Sequence, residues 1–139
     1  VRVTERHLDR IPPGNLRVPL GEFAALWSAA EEQSRAQGER GITDWTAGGV
    51  ALTCRWMARA VTETSNGHRQ PTPAPITKAT ALASEELIEA EFLAAETMAA
   101  RTPPPPLVAT RPGFVEAVAA TLRWAWRSSG PVPDLTPVS

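Results

Sequence analysis

One cysteine, Cys54, and two histidines, His7 and His68, are all this chain of 139 residues offers of the side chains that most often bind metals or attack substrates. A lone cysteine can neither close an intramolecular disulfide nor build a cysteine-based zinc site, and it fits a reducing cytoplasm. The histidines fall in segments expected to be loops, far apart and without the cysteine or carboxylate spacing of a metal site, so no metal and no cofactor is expected. Two loop histidines and a mid-helix cysteine cannot assemble a nucleophile, a base and an orienting group, so no enzymatic activity is expected. Catalysis would have to rest on helix carboxylates working with Arg55 or Arg123.

Long apolar runs are also lacking. The longest, around Trp45–Val61, is interrupted by Arg55 and Arg59, which argues against a membrane span. The first residues are charged and have no apolar stretch behind them, so a signal peptide is not expected. Gly48-Gly49 is not a phosphate loop, because neither the G-x-x-x-x-G-K pattern nor a preceding strand is present. Glu85 and Glu89 form an E-x-x-x-E pair, but the E-x-x-H partner of a di-iron bundle is missing. Lysine occurs once, as Lys78, against thirteen arginines, a skew that points to a high-G+C bacterial genome more than to a function. A formal net charge of −1 argues against a surface built as a whole for nucleic acid or anionic membrane.

What is present is a repeated pattern. Val50-Ala51-Leu52-Thr53-Cys54-Arg55-Trp56-Met57-Ala58-Arg59 returns sixty-eight positions later as Val118-Ala119-Ala120-Thr121-Leu122-Arg123-Trp124-Ala125-Trp126-Arg127. The shared skeleton is V-A-x-T-x-R-W-x-x-R. Upstream, Glu22-Phe23-Ala24-Ala25 is echoed by Glu91-Phe92-Leu93-Ala94 at an offset of sixty-nine. Two blocks in one order at nearly one offset read as a tandem duplication of a helix pair. Cys54 is replaced by Leu122 in the second copy, as suits a small buried hydrophobe.

Proline divides the chain at 12–13, 19, 71–75, 103–106 and 131–137, because it removes an amide donor and restricts the residue before it. Between the breaks the apolar residues recur with helical period. The first helix is expected over Leu20–Gln37, with Phe23, Leu26, Trp27 and Ala30 on the buried face, Glu31, Glu32 and Arg35 leaving it, and Gly38 as its stop. The second starts after Asp44, a good N-cap, and runs over 45–65 to Asn66-Gly67; its glycine pair implies close packing of a neighbour. The third spans 77–101 and the fourth 112–129, opening on Pro112. The expectation is therefore a single all-α domain over 1–139, four-helix-bundle-like, made of two tandem helical hairpins (20–66 and 77–130) with proline-rich loops and a flexible tail at 131–139. Leu16–Val18 and Leu107–Ala109 are too short to build a sheet.

Arg55 with Arg59, and Arg123 with Arg127, are spaced i,i+4, so each pair is expected on one helix face beside a tryptophan. Such forks could clamp the carboxylates of an acidic partner or the phosphates of a nucleic acid. They could equally pair within the bundle, where Glu22, Glu31 and Glu32 and the third helix's Glu85, Glu86, Glu89, Glu91 and Glu96 supply carboxylates. Trp124 and Trp126 lie about 200° apart on a helix. With Trp124 at the buried place of Trp56, Trp126 is the expected exposed anchor of an interface. The partner-binding candidates are thus Trp126, Arg123, Arg127, Arg55 and Arg59, in a cytoplasmic module that forms a homodimer or holds a protein partner. A nucleic-acid-binding regulator with an Arg-lined helical face is the alternative.

Overall fold

The computed structural model describes residues 2–63 and 65–136, and these are mostly helical, with one two-stranded sheet. Helix α1 (Glu5–Asp9) is set by a capping box, in which Thr4 Oγ1 accepts from the His7 amide while the Thr4 amide donates to His7 Nδ1 at 3.1 Å. His7 therefore sits in a helix and not in a loop, its ring 5.4 Å from that of Trp27. After a 3-10 turn at Pro13–Asn15, Asn15 is buried and donates to the carbonyls of Met57 (3.0 Å) and Ala83 (3.2 Å), tying the N-terminal segment to two later ones.

Helix α2 (Leu20–Glu39) buries Phe23, Leu26, Trp27 and Ala30, as their spacing predicts, and continues through Gly38. Glu31, expected to leave that face, is buried as well. Helix α3 (Thr46–Met57) starts where Asp44 Oδ1 accepts the Thr46 amide at 2.9 Å. It ends eight residues before the expected boundary at 65. Arg59 turns to φ +57, and strands β1 (Val61–Glu63) and β2 (Arg69–Pro71) pair antiparallel, Thr62 opposite Gln70. Asn66-Gly67, read as a helix stop, is the turn of this hairpin, with Gly67 at φ +78. The all-α expectation is corrected by this sheet.

Helix α4 (Glu85–Ala99) begins at Ser84, whose Oγ accepts the Leu87 amide at 3.4 Å, and not at Thr77. Residues 76 and 77 are held instead by buried Glu91, whose carboxylate accepts from the Ile76 and Thr77 amides and, at 2.8 Å, from Thr77 Oγ1. A short α5 (Pro106–Thr110) covers the stretch that looked weakly strand-like, and α6 (Phe114–Ala125) closes the order, shorter at both ends than the expected 112–129.

Packing follows from where the apolar surface lies. α2 packs on α3, α3 on α6 and α6 on α4, which places α3 and α6 in the middle with two covered sides each. The core is filled by Phe23, Trp27, Trp56, Ile88, Phe114 and Leu122. At the crossing of the central pair a Cβ on Gly49 would lie 2.9 Å from Ala117 Cβ and 2.9 Å from the Phe114 carbonyl oxygen, so only glycine lets the backbones approach this closely. Thr53 and Thr121, both fully buried, satisfy their hydroxyls on the carbonyls of Gly49 and Ala117, each at 2.7 Å. Of the expected tail, residues 131–136 lie against the bundle, with Pro133 buried and the Gln33 amide donating to the Leu135 carbonyl. Residues 137–139 lie outside the described residues.

Candidate functional site

Trp27 and Glu31 are one helical turn apart on α2, so both side chains reach the same place on α3. There Arg55 grips Glu31 bidentately, Nε to Oε2 at 2.7 Å and Nη2 to Oε1 at 2.6 Å, while Trp27 Nε1 donates to Glu31 Oε2 at 2.9 Å. Burial of Glu31 pushes its carboxyl up. The hydrogen bonds and charge of Arg55, with the indole N–H, outweigh that and hold it below the ordinary carboxylate range. The pair lines a groove of about 450 Å³ together with Glu32 and Arg35. Beneath it the fully buried Cys54 thiol is pushed up, first by desolvation and then by the negative charge of Glu31. Both effects disfavour the thiolate.

A second Trp–Arg–Glu constellation lies at the end of α6, built from residues that do not correspond to the first in the repeated pattern. Trp126 Nε1 donates to Glu89 Oε1 at 2.7 Å, and Arg127 donates to both oxygens of the same carboxylate. The indole and guanidinium hydrogen bonds draw the Glu89 carboxyl below its usual range. The Arg127 guanidinium also lies 4.8 Å over Phe92, and Arg17 covers the Trp126 ring at 4.3 Å. Arg17 reaches Glu85 at 3.3 Å and Arg123 reaches Glu96 at 2.8 Å. Glu85, Glu89 and Glu96, spaced four and seven apart on α4, thus hold a row of three arginines along the seam with α6.

This places each sequence candidate. Trp126, expected to be exposed, retains only 7% of its surface. Both Trp124 and Trp126 are buried: Trp124 on α6, and Trp126 just past its end, where Glu89 of α4 and the Arg17 guanidinium cover its ring. Arg55 and Arg59 do not form a ladder, because α3 ends at Met57 and Arg59 lies beyond it, donating from Nε to the Ala83 carbonyl at 2.8 Å. Arg127 likewise lies past the end of α6, while Arg123 is on it. Arg55, Arg123 and Arg127 are ion-paired to Glu31, Glu96 and Glu89. The sequence reading missed Arg17, whose only signal was a cation in a proline-bounded loop, and it missed the burial of Glu31, signalled by its i,i+4 spacing from Trp27.

Two further surfaces carry large side chains toward solvent. Trp45 is 38% exposed, its ring 6.3 Å from Phe114 and under the Arg111 guanidinium at 4.6 Å. On the outer side of α4, Leu93 is 51% exposed beside a groove of about 490 Å³ lined by Ala90, Ala94, Thr97, Met98 and Ile76. Among the described residues no group of three or more His, Cys, Asp or Glu could hold a metal ion, and no helix is long and apolar enough to cross a membrane. Compared with protein-family models, with curated protein sequences and with solved structures, the chain matches none.

Proposed function

We propose that this chain is a non-enzymatic protein-interaction or adaptor module of the cytoplasm, acting by self-association or by holding a partner protein. The observation that carries the reading is the outer face of α4, where a half-exposed leucine stands beside an apolar groove. Large apolar side chains left in water beside a concave apolar surface are stabilised when another surface covers them. The docking face is thus moved from Trp126, Arg123, Arg127, Arg55 and Arg59, which hold partners within the fold, to the side of α4 where Leu93 is half exposed.

We further infer that the fold arose by tandem duplication. In its favour, α3 and α6 are both twelve residues long and begin sixty-eight positions apart. Their matching threonines make the same bond, and the matching positions Gly49 and Ala117 meet each other at the crossing. A pair of like helices meeting at equivalent residues is what a pseudo-two-fold axis between two hairpins requires. The nucleic-acid alternative would require Arg55, Arg123 and Arg127 to leave Glu31, Glu96 and Glu89 for phosphates. Its sign would be nucleic-acid binding that falls steeply with salt and is abolished by Arg123→Ala with Arg127→Ala.

The test uses the purified chain in light scattering, together with affinity capture from the native host, comparing wild type with Leu93→Glu. The reading expects either a mass above the monomer or a specifically retained protein, with the effect lost in the variant. A monomeric wild type whose bait recovers the same proteins as the variant overturns it.

A further inference from the structure

Helix α4 uses its carboxylates selectively. Glu85, Glu89 and Glu96 each hold an arginine, and Glu91 holds the amides and hydroxyl of the 76–77 segment. Glu86 is exposed in the first turn and has no ion-pair partner among the described residues. Just past the other end of the helix, Arg101 is also exposed and without an ion-pair partner among the described residues, and it lines the end of the apolar groove. Between them Ala90, Leu93 and Thr97 continue from Glu86 at spacings of four, three and four, which is one stripe of a helix surface. The stripe therefore reads acid, small, large, small along about 20 Å of α4, and Arg101 adds a base just past the helix, where it borders the groove.

Such a stripe is complementary to itself when reversed. Leu93 stands next to the midpoint between Glu86 and Arg101, so a second copy laid antiparallel across it places each Glu86 on the other copy's Arg101. The same rotation brings each Leu93 toward the groove beside the other copy's Ala90 and Ala94. A parallel arrangement would instead put like charges together at both ends. We propose that the occupant of this face is a second copy of the same chain, docked antiparallel through α4 about a two-fold axis near Leu93. This rests on the interaction reading above and deepens it by naming the partner and the register.

The contact is small. A stripe about 20 Å long and about one helix diameter, roughly 10 Å, wide buries roughly 200–300 Å² per copy, against roughly 800 Å² per partner in a standard interface. The dimer is therefore weak and concentration-dependent. It also weakens as salt rises, because the two terminal ion pairs are exposed at the rim.

Sedimentation equilibrium of the full chain at low salt, from about 1 to 500 µM, tests this with substitutions at exposed positions. Wild type should rise from 14.9 kDa toward twice that mass. Glu86→Arg alone and Arg101→Glu alone each set like charges at both ends and should weaken the dimer at least tenfold. An equimolar mixture of the two variants restores opposite charges at both ends, as does the double variant in one chain, and both should recover wild-type affinity. Leu93→Glu should remain monomeric, with circular dichroism confirming an intact fold. A wild type that stays monomeric to 500 µM overturns the proposal, as does a mixture no heavier than its components. A dimer that Leu93→Glu leaves untouched overturns this face while leaving self-association standing. A monomer that still captures a specific partner overturns the dimer while leaving the interaction reading intact.

Discussion

Two neighbouring glycines in α3 should respond to the same substitution with opposite sign. Replacing a mid-helix glycine by alanine gains about 1 kcal/mol of helix propensity, since the unfolded chain gives up fewer conformations. At Gly48 a new Cβ would meet Trp45 Cε3 at 3.5 Å and Ser34 Oγ at 3.7 Å, which is ordinary van der Waals contact. Gly48→Ala should therefore stabilise the protein by about 0.5–1 kcal/mol. At Gly49 the same Cβ would lie 2.9 Å from both Ala117 Cβ and the Phe114 carbonyl oxygen. Neither atom is the free end of a flexible chain, so relief requires the two central helices to move apart. Overpacking of this kind costs typically 1–3 kcal/mol, and two simultaneous clashes against backbone-anchored atoms put the cost near the top of that range. It exceeds the propensity gain, leaving Gly49→Ala less stable by about 1–2 kcal/mol. Urea unfolding followed by tryptophan fluorescence reads both, as shifts in midpoint at constant slope. Pairing Gly49→Ala with Ala117→Gly should show favourable coupling, because one of the two clashes disappears. If Gly49→Ala is as stabilising as Gly48→Ala, the close crossing of α3 and α6, and with it the reason for glycine there, is wrong.

Glu31→Gln should cost about 2 kcal/mol at neutral pH, less than a fully enclosed pair because Arg55 keeps a quarter of its side chain in water. Since the folded protein holds the Glu31 carboxyl below its ordinary value of 4.5, this stabilisation is complete above that value and is lost as pH falls through the depressed one. Wild type and variant should therefore converge in stability in acid, and a constant gap down to pH 2 would refute the assignment. Trp126→Phe keeps a ring beneath Arg17 but removes the donor to Glu89. Chemical denaturation should show a loss of about 1 kcal/mol, against about 3–5 kcal/mol for Trp126→Ala; equal losses would mean that the indole N–H contributes nothing.

Some of this molecule is written in short-range pattern. Phe23, Leu26, Trp27 and Ala30 mark the face of α2 because helical periodicity is a property of neighbours along one chain segment. The glycine pair in α3 announced a close neighbour, since a helix interior otherwise resists glycine, though the neighbour itself, Ala117, was not readable. The start of α4 was missed although Ser84 followed by Glu85 and Glu86 is a good local signal, because the alanine-rich residues before it were equally compatible with helix. Asn66-Gly67 shows the limit of local reading. The same dipeptide stops a helix or turns a hairpin, and what selects the hairpin is the pairing of Val61–Glu63 with Arg69–Pro71.

The fate of the charged and aromatic side chains was decided only in three dimensions. An arginine beside a tryptophan on a helix has the same sequence whether its fork meets a partner or a carboxylate twenty-four or thirty-eight residues away, as Arg55 and Arg127 do. Trp126 is buried because Glu89 of α4 and the Arg17 guanidinium close over it at the end of α6, neighbours brought there by the tertiary packing. The sequence determined the central stretches of α2, α3, α4 and α6 and the apolar face of α2, because those depend on contacts within a few residues. Which charge is neutralised, and which apolar side chains stay in solvent, depends on how the segments stack, and that was settled only by the long-range packing of α2, α3, α6 and α4.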